Sequence, residues 1–115
     1  VSLLQDARRD VPLDLEAEMI ARFSNGLNQT DFGASYAVLG AQRALRILGI
    51  FARLCLVAGK PGYVALIPRV WGQLQRNLAH PALATLAQVC AEWLPEPDSQ
   101  ALERIRSQCG TIPTV

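Results

Sequence analysis

The chain has 115 residues, of which 50% are hydrophobic and 18% are charged, and its formal net charge is +1. This length and composition allow one domain with a hydrophobic core and exclude a disordered chain. The near-neutral total gives no strong indication of a nucleic-acid or membrane-surface binder. The most apolar stretch, residues 37–59, contains three arginines, so it favours a buried helix of a soluble protein over a membrane span.

The charges are unevenly distributed along the chain. Acidic residues are concentrated in residues 1–31 and again after residue 91, whereas residues 32–91 contain none. Two interpretations stay open. The acidic flanks could pack on the basic middle and neutralise it, or the middle could form an anion site for a phosphate or a nucleotide.

The first part of the chain predicts two short helices. A helix over about 1–9 ends before Pro12, because the residue before a proline is driven out of the α region. A second helix over about 14–24 has Asp14 as its N-cap and Glu16 and Glu18 in its first turn, where the helix dipole favours negative charge. Gly26 follows as a helix stop.

A long helix over about 31–58 is predicted next, ended by Gly59 and Pro61. It is apolar on nearly all sides, which is typical of the central element of a core. Gly33 and Gly40 lie on one face and would let another helix approach closely. The polar side of this helix is a stripe of three arginines, Arg43, Arg46 and Arg53. The stripe is interpreted either as a solvated or ion-paired face, with Asp6, Asp10 or Glu92 as partners, or as a phosphate site.

The second half predicts shorter helices separated by proline and glycine. Residues 63–79 read as a helix that is either kinked at Pro68 or split there into two. A helix over about 81–93 begins with Pro81, and a last helix over about 99–108 is capped by Asp98 or Ser99. The sequence therefore predicts an all-α fold, a single domain over residues 1–115, with about six helices around the helix 31–58.

Aromatic and cysteine residues are assigned to the core. Trp71 and Trp93 lie on apolar helical rows and are expected to be buried. The three cysteines, Cys55, Cys90 and Cys109, form no Cys-x-x-Cys pair, so they are predicted to be reduced, buried thiols in a cytoplasmic protein, with no metal site.

Residues 30–33 read Thr-Asp-Phe-Gly, and an Asp-Phe-Gly triplet holds magnesium in protein kinases. The residues before Asp31 contain no His-Arg-Asp, no Gly-rich loop and no strand, all of which that site requires upstream. Thr30 is therefore predicted to be an N-cap and Asp31 a first-turn acid. His80 is predicted to be a cap or a surface residue, because it precedes Pro81 at a helix boundary.

Two stretches carry a family resemblance: VLGAQRALRILGIFARL at 38–54 and LIPRVWGQLQRNLAHPAL at 66–83. They resemble the C-terminal helical part of the aminoglycoside-phosphotransferase-like kinases, and the nearest branch is the bacterial N-acetylmuramate/N-acetylglucosamine kinases of cell-wall recycling. The opening VSLLQDARRDVP resembles the helix that follows the metal-binding aspartate segment of this family.

The resemblance implies that the chain is the substrate-side helical subdomain of an ATP- and Mg²⁺-dependent sugar phosphotransferase. The catalytic core and nucleotide site would lie upstream of Val1, so no catalytic, cofactor or metal residue is assigned in this chain, and the piece alone would be inactive. Position next to the metal segment implies pocket-side roles for Gln5, Asp6, Arg8 and Arg9. Neither nucleic acid nor a membrane is expected as a partner.

A second hypothesis is a stand-alone helical interaction module without chemistry. It requires the apolar helix faces to close on themselves, whereas an excised subdomain would leave apolar surface exposed.

Overall fold

The computed structural model of the chain describes residues 1, 4–26 and 29–112, including their side chains except those of residues 29 and 30. These ranges contain five α-helices and two short 3-10 helices, and no β-strand. The predicted all-α fold is thus confirmed. The α-helices are α1 (Leu13–Phe23), α2 (Gln29–Leu56), α3 (Ile67–Leu78), α4 (Ala84–Trp93) and α5 (Ser99–Ser107). The 3-10 helices, Pro61–Leu66 and Pro81–Leu83, directly precede α3 and α4.

Helix α2 is the central element, and its bounds agree with the prediction to within two residues at each end. It packs mainly against α3 and also contacts α5 and both 3-10 helices. Small residues of α2 allow this close packing, and α3 contributes larger ones. Removing such apolar surface from water stabilises the fold by about 25 cal/mol per Å². The buried core includes Ala37, Ala41, Ala44, Phe51 and Cys55 of α2, and Val70, Leu74 and Leu78 of α3.

Gly40 is the point of closest approach between α2 and α3. A Cβ atom added there would lie 2.7 Å from Cγ and 2.8 Å from Oδ1 of Asn77. Gly33, seven residues earlier, faces His80, whose Nε2 would lie 3.7 Å from such a Cβ. The predicted close helix approach at this face is therefore confirmed, and it depends on Gly40 much more than on Gly33.

The predicted helix over residues 1–9 is wrong, because residues 4–9 form turns. The Asp6 carboxylate accepts a hydrogen bond from the backbone N–H of Arg8, which is a local alternative to the helical pattern. The carbonyls of Asp6 and Ala7 accept hydrogen bonds from side chains of α3, Gln73 and Arg69. Tertiary contacts thus satisfy the backbone groups that a helix would have paired internally.

Cap assignments are partly confirmed. Pro12, and not Asp14, occupies the N-cap of α1, and the Asp14 side chain accepts a hydrogen bond from Leu15 N–H inside the first turn. Asp98 caps α5 by accepting from Ala101 N–H at 2.8 Å. His80 also caps, since its Nδ1 accepts from Ala82 N–H at 3.1 Å.

Pro68 and Pro81 start helices and do not kink them. Pro68 lies in the first turn of α3, directly after the 3-10 helix, so the interpretation as two short helices is correct. A proline is tolerated there because its missing N–H would have had no intrahelical partner. Pro81 begins the second 3-10 helix.

The predicted burial of Trp93 is wrong, because its side chain at the end of α4 is 76% exposed. Trp71 is half-buried and packs against the core, as predicted. Trp93 ends the apolar row of α4, and the chain leaves the helix there in the proline-rich segment, so no described element covers the ring.

The cysteines differ from the prediction of three reduced thiols. Cys55, in the last turn of α2, forms a disulfide with Cys109, and only Cys90 is a free, buried thiol among the described residues. The chain after α5 returns to the end of α2, where Gly110 N–H donates to Cys55 O and Ile112 N–H to Leu56 O. These contacts bring together two cysteines that are 54 residues apart in sequence.

None of the helices in the described ranges combines the length and the apolar character that a lipid bilayer requires of a span.

Gly40→Ala is expected to lower the melting temperature, although alanine is the better helix former by about 1 kcal/mol. The new methyl group would displace the Asn77 amide, which is buried and fixed by hydrogen bonds to Gln5, at a net cost of about 1–3 kcal/mol. Circular dichroism during thermal unfolding measures the change.

Gly49→Ala is the matched control, because it lies in the same helix and its added Cβ would meet nothing within 4 Å. We expect this variant to gain stability by about 1 kcal/mol. Equal gains in both variants would contradict the close contact between Gly40 and Asn77.

The disulfide predicts that one of the three cysteines is alkylated when the protein is denatured without reductant, and all three after reduction. Mass spectrometry of intact, alkylated protein counts the labels. Three labels before reduction would show that Cys55 and Cys109 are free thiols in solution.

Candidate functional site

The N-terminal segment, defined here as residues 4–11, lies along α3 and is attached to it by hydrogen bonds and one ion pair. Arg69 is central to this attachment: its Nη1 donates to the Ala7 carbonyl at 3.1 Å, and its Nε lies 2.9 Å from Asp10 Oδ1. Gln73 Nε2 donates to the Asp6 carbonyl at 3.2 Å. The segment thereby separates two cavities and covers a buried polar cluster.

That cluster, called the Glu16 network below, is formed by Gln5, Glu16, Tyr36, Arg76 and Asn77. Glu16 Oε1 accepts hydrogen bonds from Tyr36 Oη at 2.8 Å and from Gln5 Nε2 at 3.2 Å, and Oε2 pairs with Arg76 Nη1 at 2.9 Å. Gln5 and Asn77 also bind each other through both of their amide groups. The network joins the N-terminal segment, α1, α2 and α3.

Titration of the network favours a charged Glu16 and a neutral Tyr36. Burial alone would raise the pKa of Glu16, but hydrogen bonds from Tyr36, Arg76 and Gln5 outweigh it, so this pKa lies below its ordinary value of 4.5. Burial, and then the hydrogen bond to the Glu16 carboxylate, raise the pKa of Tyr36 above its ordinary 10.0. Both shifts identify the network as a structural connection that is stable around neutral pH.

The first cavity, called the Arg43 cavity, has a volume of about 440 Å³ and opens between the N-terminal segment and α2. Arg43, Ile47 and Phe51 follow each other at intervals of four on one side of α2 and form one wall. Tyr63 stacks on Phe51 with a ring-centroid distance of 5.4 Å. The residues that line the Arg43 cavity are Asp6, Ala7, Arg8, Arg43, Ile47, Phe51 and Tyr63.

Arg43 is unusual because its Nε is buried and makes no hydrogen bond within the described part of the protein. Leaving a buried donor without a partner costs about 1–3 kcal/mol. The predicted ion pairs of the arginine stripe with Asp6, Asp10 or Glu92 are wrong: in the described ranges Asp6 pairs with Arg8 and Asp10 with Arg69. Arg46 and Arg53 are exposed.

Neutralisation of the basic middle by the acidic N-terminal flank is confirmed for two other arginines. Arg69 pairs with Asp10, and Arg76 pairs with the buried Glu16. The arginines of α3 are thus occupied, and Arg43 of α2 has no anionic partner among the residues described. Neutralisation therefore holds for α3, and the interpretation of the α2 arginines as an anion site stays a prediction.

The second cavity, of about 370 Å³, lies on the other side of the N-terminal segment, against α3. Arg9 and Asp10 line it together with Arg69 and Arg76. Arg69 pairs with Asp10 and Arg76 with Glu16, whereas Arg9 has no ion pair within the described residues. Each cavity is thus lined by one arginine without a carboxylate partner among the described residues, and the Arg43 cavity differs in that its arginine also has a buried donor without a hydrogen bond there.

The structure separates the four residues that were predicted to face a substrate. Gln5 is buried and both ends of its amide are used within the Glu16 network. Asp6 and Arg8 line the Arg43 cavity, and Arg9 lines the cavity on the opposite side. A role of these residues in substrate binding stays a prediction.

An apolar groove of about 360 Å³ lies between α1 and α2. Phe32 is at its centre. The centroid of its ring lies 5.7 Å from that of Phe23 and 6.2 Å from that of Tyr36. The phenylalanine of the Thr-Asp-Phe-Gly sequence is therefore a groove residue. Asp31 lies in the first turn of α2, as predicted. The predicted N-cap position of Thr30 is wrong, because α2 begins at Gln29 and Thr30 lies inside it.

No cluster of three or more His, Cys, Asp or Glu side chains that could hold a metal ion is present in the described ranges.

Sequence reasoning missed the residues that define these sites. Glu16 and Glu18 were both predicted to be first-turn acids that favour the helix dipole, but Glu16 is buried. Glu18 is exposed and forms an ion pair with Arg22 at 2.7 Å. Tyr63 was placed at the start of the predicted helix 63–79, with no indication that it stacks on Phe51. One signal was available: Gly40 at the centre of an apolar face indicates a close contact there, although it does not identify Asn77 as the partner.

Three curated bacterial proteins are similar to this chain, and each is named N-acetylmuramate/N-acetylglucosamine kinase. The protein of Caulobacter vibrioides is 48% identical over 87 residues, which is 73% of this chain and 24% of that protein. The protein of Pseudomonas aeruginosa is 40% identical over 67 residues, 57% of this chain and 20% of its own length. The protein of Pseudomonas putida is 39% identical over 56 residues, which is 48% of this chain and 16% of that protein.

The chain thus spans about a quarter of the length of the Caulobacter relative. No family model matches it. The similarity over most of the chain supports a relationship to kinases.

Glu16→Gln is expected to lower the free energy of unfolding near pH 7 by about 1–3 kcal/mol, because it removes a charged acceptor from Tyr36 and Arg76 while keeping the size of the side chain. The pKa of Glu16 is lowered on folding, so the stabilisation is present above its ordinary pKa of 4.5 and is lost as the pH falls through the lower folded value.

The loss in the variant should therefore shrink as the pH is lowered below about 4.5, which denaturant unfolding at a series of pH values measures. Glu18→Gln is the matched control, since Glu18 lies on the same helix in an exposed pair whose removal costs under about 1 kcal/mol. A loss for Glu16→Gln that is the same at pH 3 and pH 7 would contradict the charged state of Glu16.

Proposed function

We propose that the chain is the acceptor-side helical subdomain of an ATP-dependent phosphotransferase that acts on a hydroxyl of an amino sugar. The single observation that carries this proposal is the 48% identity over 87 residues to a protein named N-acetylmuramate/N-acetylglucosamine kinase. The relatives are about three times as long as this chain, so the proposal concerns a longer protein of which the chain forms one part.

In this proposal the remainder of the longer protein binds ATP and Mg²⁺ and contains the catalytic groups. The described residues provide no metal-binding cluster, so no metal or nucleotide is assigned to them. Bound Mg²⁺ would neutralise the charge that develops on the transferred phosphoryl group. This chain would position the acceptor sugar and pack against the catalytic core. The whole enzyme would be a cytoplasmic protein of the aminoglycoside-phosphotransferase-like kinases.

Exposed apolar side chains support packing against a further part of the protein. Phe23 is 75% exposed and Leu13 62% exposed on α1, and Trp93 is 76% exposed at the end of α4. Val38, Leu39 and Ile50 are exposed on α2. A self-contained interaction module is expected to close such faces, so the alternative without catalysis is less well supported.

The longer protein is expected to transfer the γ-phosphoryl group of ATP to N-acetylmuramate or N-acetylglucosamine, and the 115-residue chain alone is expected to be inactive. Purified protein is incubated with γ-labelled ATP, and labelled sugar phosphate is separated and quantified. Removal of Mg²⁺ by a chelator should abolish the transfer, and added Mg²⁺ should restore it.

A longer protein that phosphorylates neither sugar would refute the proposed function. Activity of the 115-residue chain alone would refute the assignment of the catalytic groups to another part of the protein.

A further inference from the structure

We propose that the Arg43 cavity is the binding site of the acceptor sugar, and that Arg43, assisted by Arg8, selects sugars that carry a carboxylate. This inference rests on the proposed function and extends it by naming the site and the substrate class. Its physical basis is one basic side chain without an anionic partner, next to an aromatic pair, in a cavity of suitable size.

Arg43 carries the specificity part of the inference. Its buried Nε has no partner in the described part of the chain, and Ile47 and Phe51, one and two turns further along α2, form the apolar surface beside it. Charge attraction is stronger next to such apolar surface than in bulk water. A guanidinium fork matches the two oxygens of a carboxylate, so an acidic ligand in the cavity can pair with the Arg43 guanidinium, which has no carboxylate partner among the described residues.

Arg8 is placed to assist without structural cost. Its side chain is 78% exposed, and its only ion pair with a described residue is the 3.6 Å contact between its Nε and Asp6 Oδ1 within the same turn. That turn is fixed independently, because Asp6 also accepts a hydrogen bond from the Arg8 backbone N–H at 2.8 Å. The Arg8 guanidinium can therefore move to a ligand while the backbone keeps its conformation.

The remaining wall fits the other parts of a sugar. Phe51 is buried and Tyr63 is 37% exposed, so the stacked pair presents one accessible aromatic ring, a surface that accommodates the C–H face of a pyranose. The Asp6 carboxylate is an acceptor for hydroxyl or amide donors. A volume of about 440 Å³ is typical of a small-molecule site, and a wall that combines apolar and aromatic side chains with charged ones suits a polar ligand such as a sugar.

The two sugars in the name of the relatives provide the probes. N-acetylmuramate carries a carboxylate and N-acetylglucosamine does not, and the two share the pyranose ring and the acetamido group. We expect Arg43→Gln in the longer protein to lower kcat/KM for N-acetylmuramate by about tenfold or more, mostly through KM, because the carboxylate contact is remote from the transferred group. The decrease for N-acetylglucosamine should be several-fold smaller.

Arg53→Gln is the matched control, because Arg53 is an exposed arginine of the same helix and does not line this cavity. It should leave the ratio of kcat/KM for the two sugars unchanged. Arg8→Gln, at an exposed position, should shift this ratio in the same direction as Arg43→Gln. It tests the same inference if the Arg43 variant fails to fold.

The outcomes separate this inference from the proposed function. If the unmodified protein phosphorylates neither sugar, the proposed function fails. If it is active but Arg43→Gln and Arg8→Gln leave the sugar ratio unchanged, or raise the KM for ATP and not for N-acetylmuramate, the sugar site is elsewhere and only the present inference is overturned.

Discussion

The fold depends on one buried carboxylate. Glu16 is hydrogen-bonded or ion-paired to three side chains that belong to the N-terminal segment, α2 and α3. Helix α1 exposes most of its own apolar side chains, so its position on the bundle follows largely from this group and from the aromatic contact between Phe23 and Phe32. A buried charge is stable only while all of its partners remain, which makes the Glu16 network a specific connection.

Local signals were sufficient for the helices from residue 29 onward. Hydrophobic periodicity and the positions of proline and glycine located α2 through α5 to within a few residues, because these determinants act over one or two helical turns. Residues 4–9 have the same helical periodicity but form turns. Their backbone carbonyls bind Arg69 and Gln73, more than 60 residues later in the chain, and no local pattern encodes such a contact.

The candidate site was predictable only in part. Asp6 and Arg8 were selected from their position in the chain, and they do lie at the Arg43 cavity, whereas Gln5 is used within the core. Arg43 was recognised as one of three equivalent arginines. What distinguishes it is the burial of its Nε beside Phe51 and Tyr63, and that depends on how the 3-10 helix packs against α2. Periodicity identifies a helix face but does not determine which element covers it.

The way in which the N-terminal segment is attached to α3 bears on which residues of the Arg43 cavity can be substituted. Arg69 and Gln73 bind the backbone carbonyls of Ala7 and Asp6, not their side chains. Anchoring is thus largely independent of which side chain residue 6 carries, although that side chain lines the cavity. A substitution at position 6 would therefore change the cavity wall and remove the local hydrogen bond to Arg8 N–H, while both backbone attachments to α3 stay available.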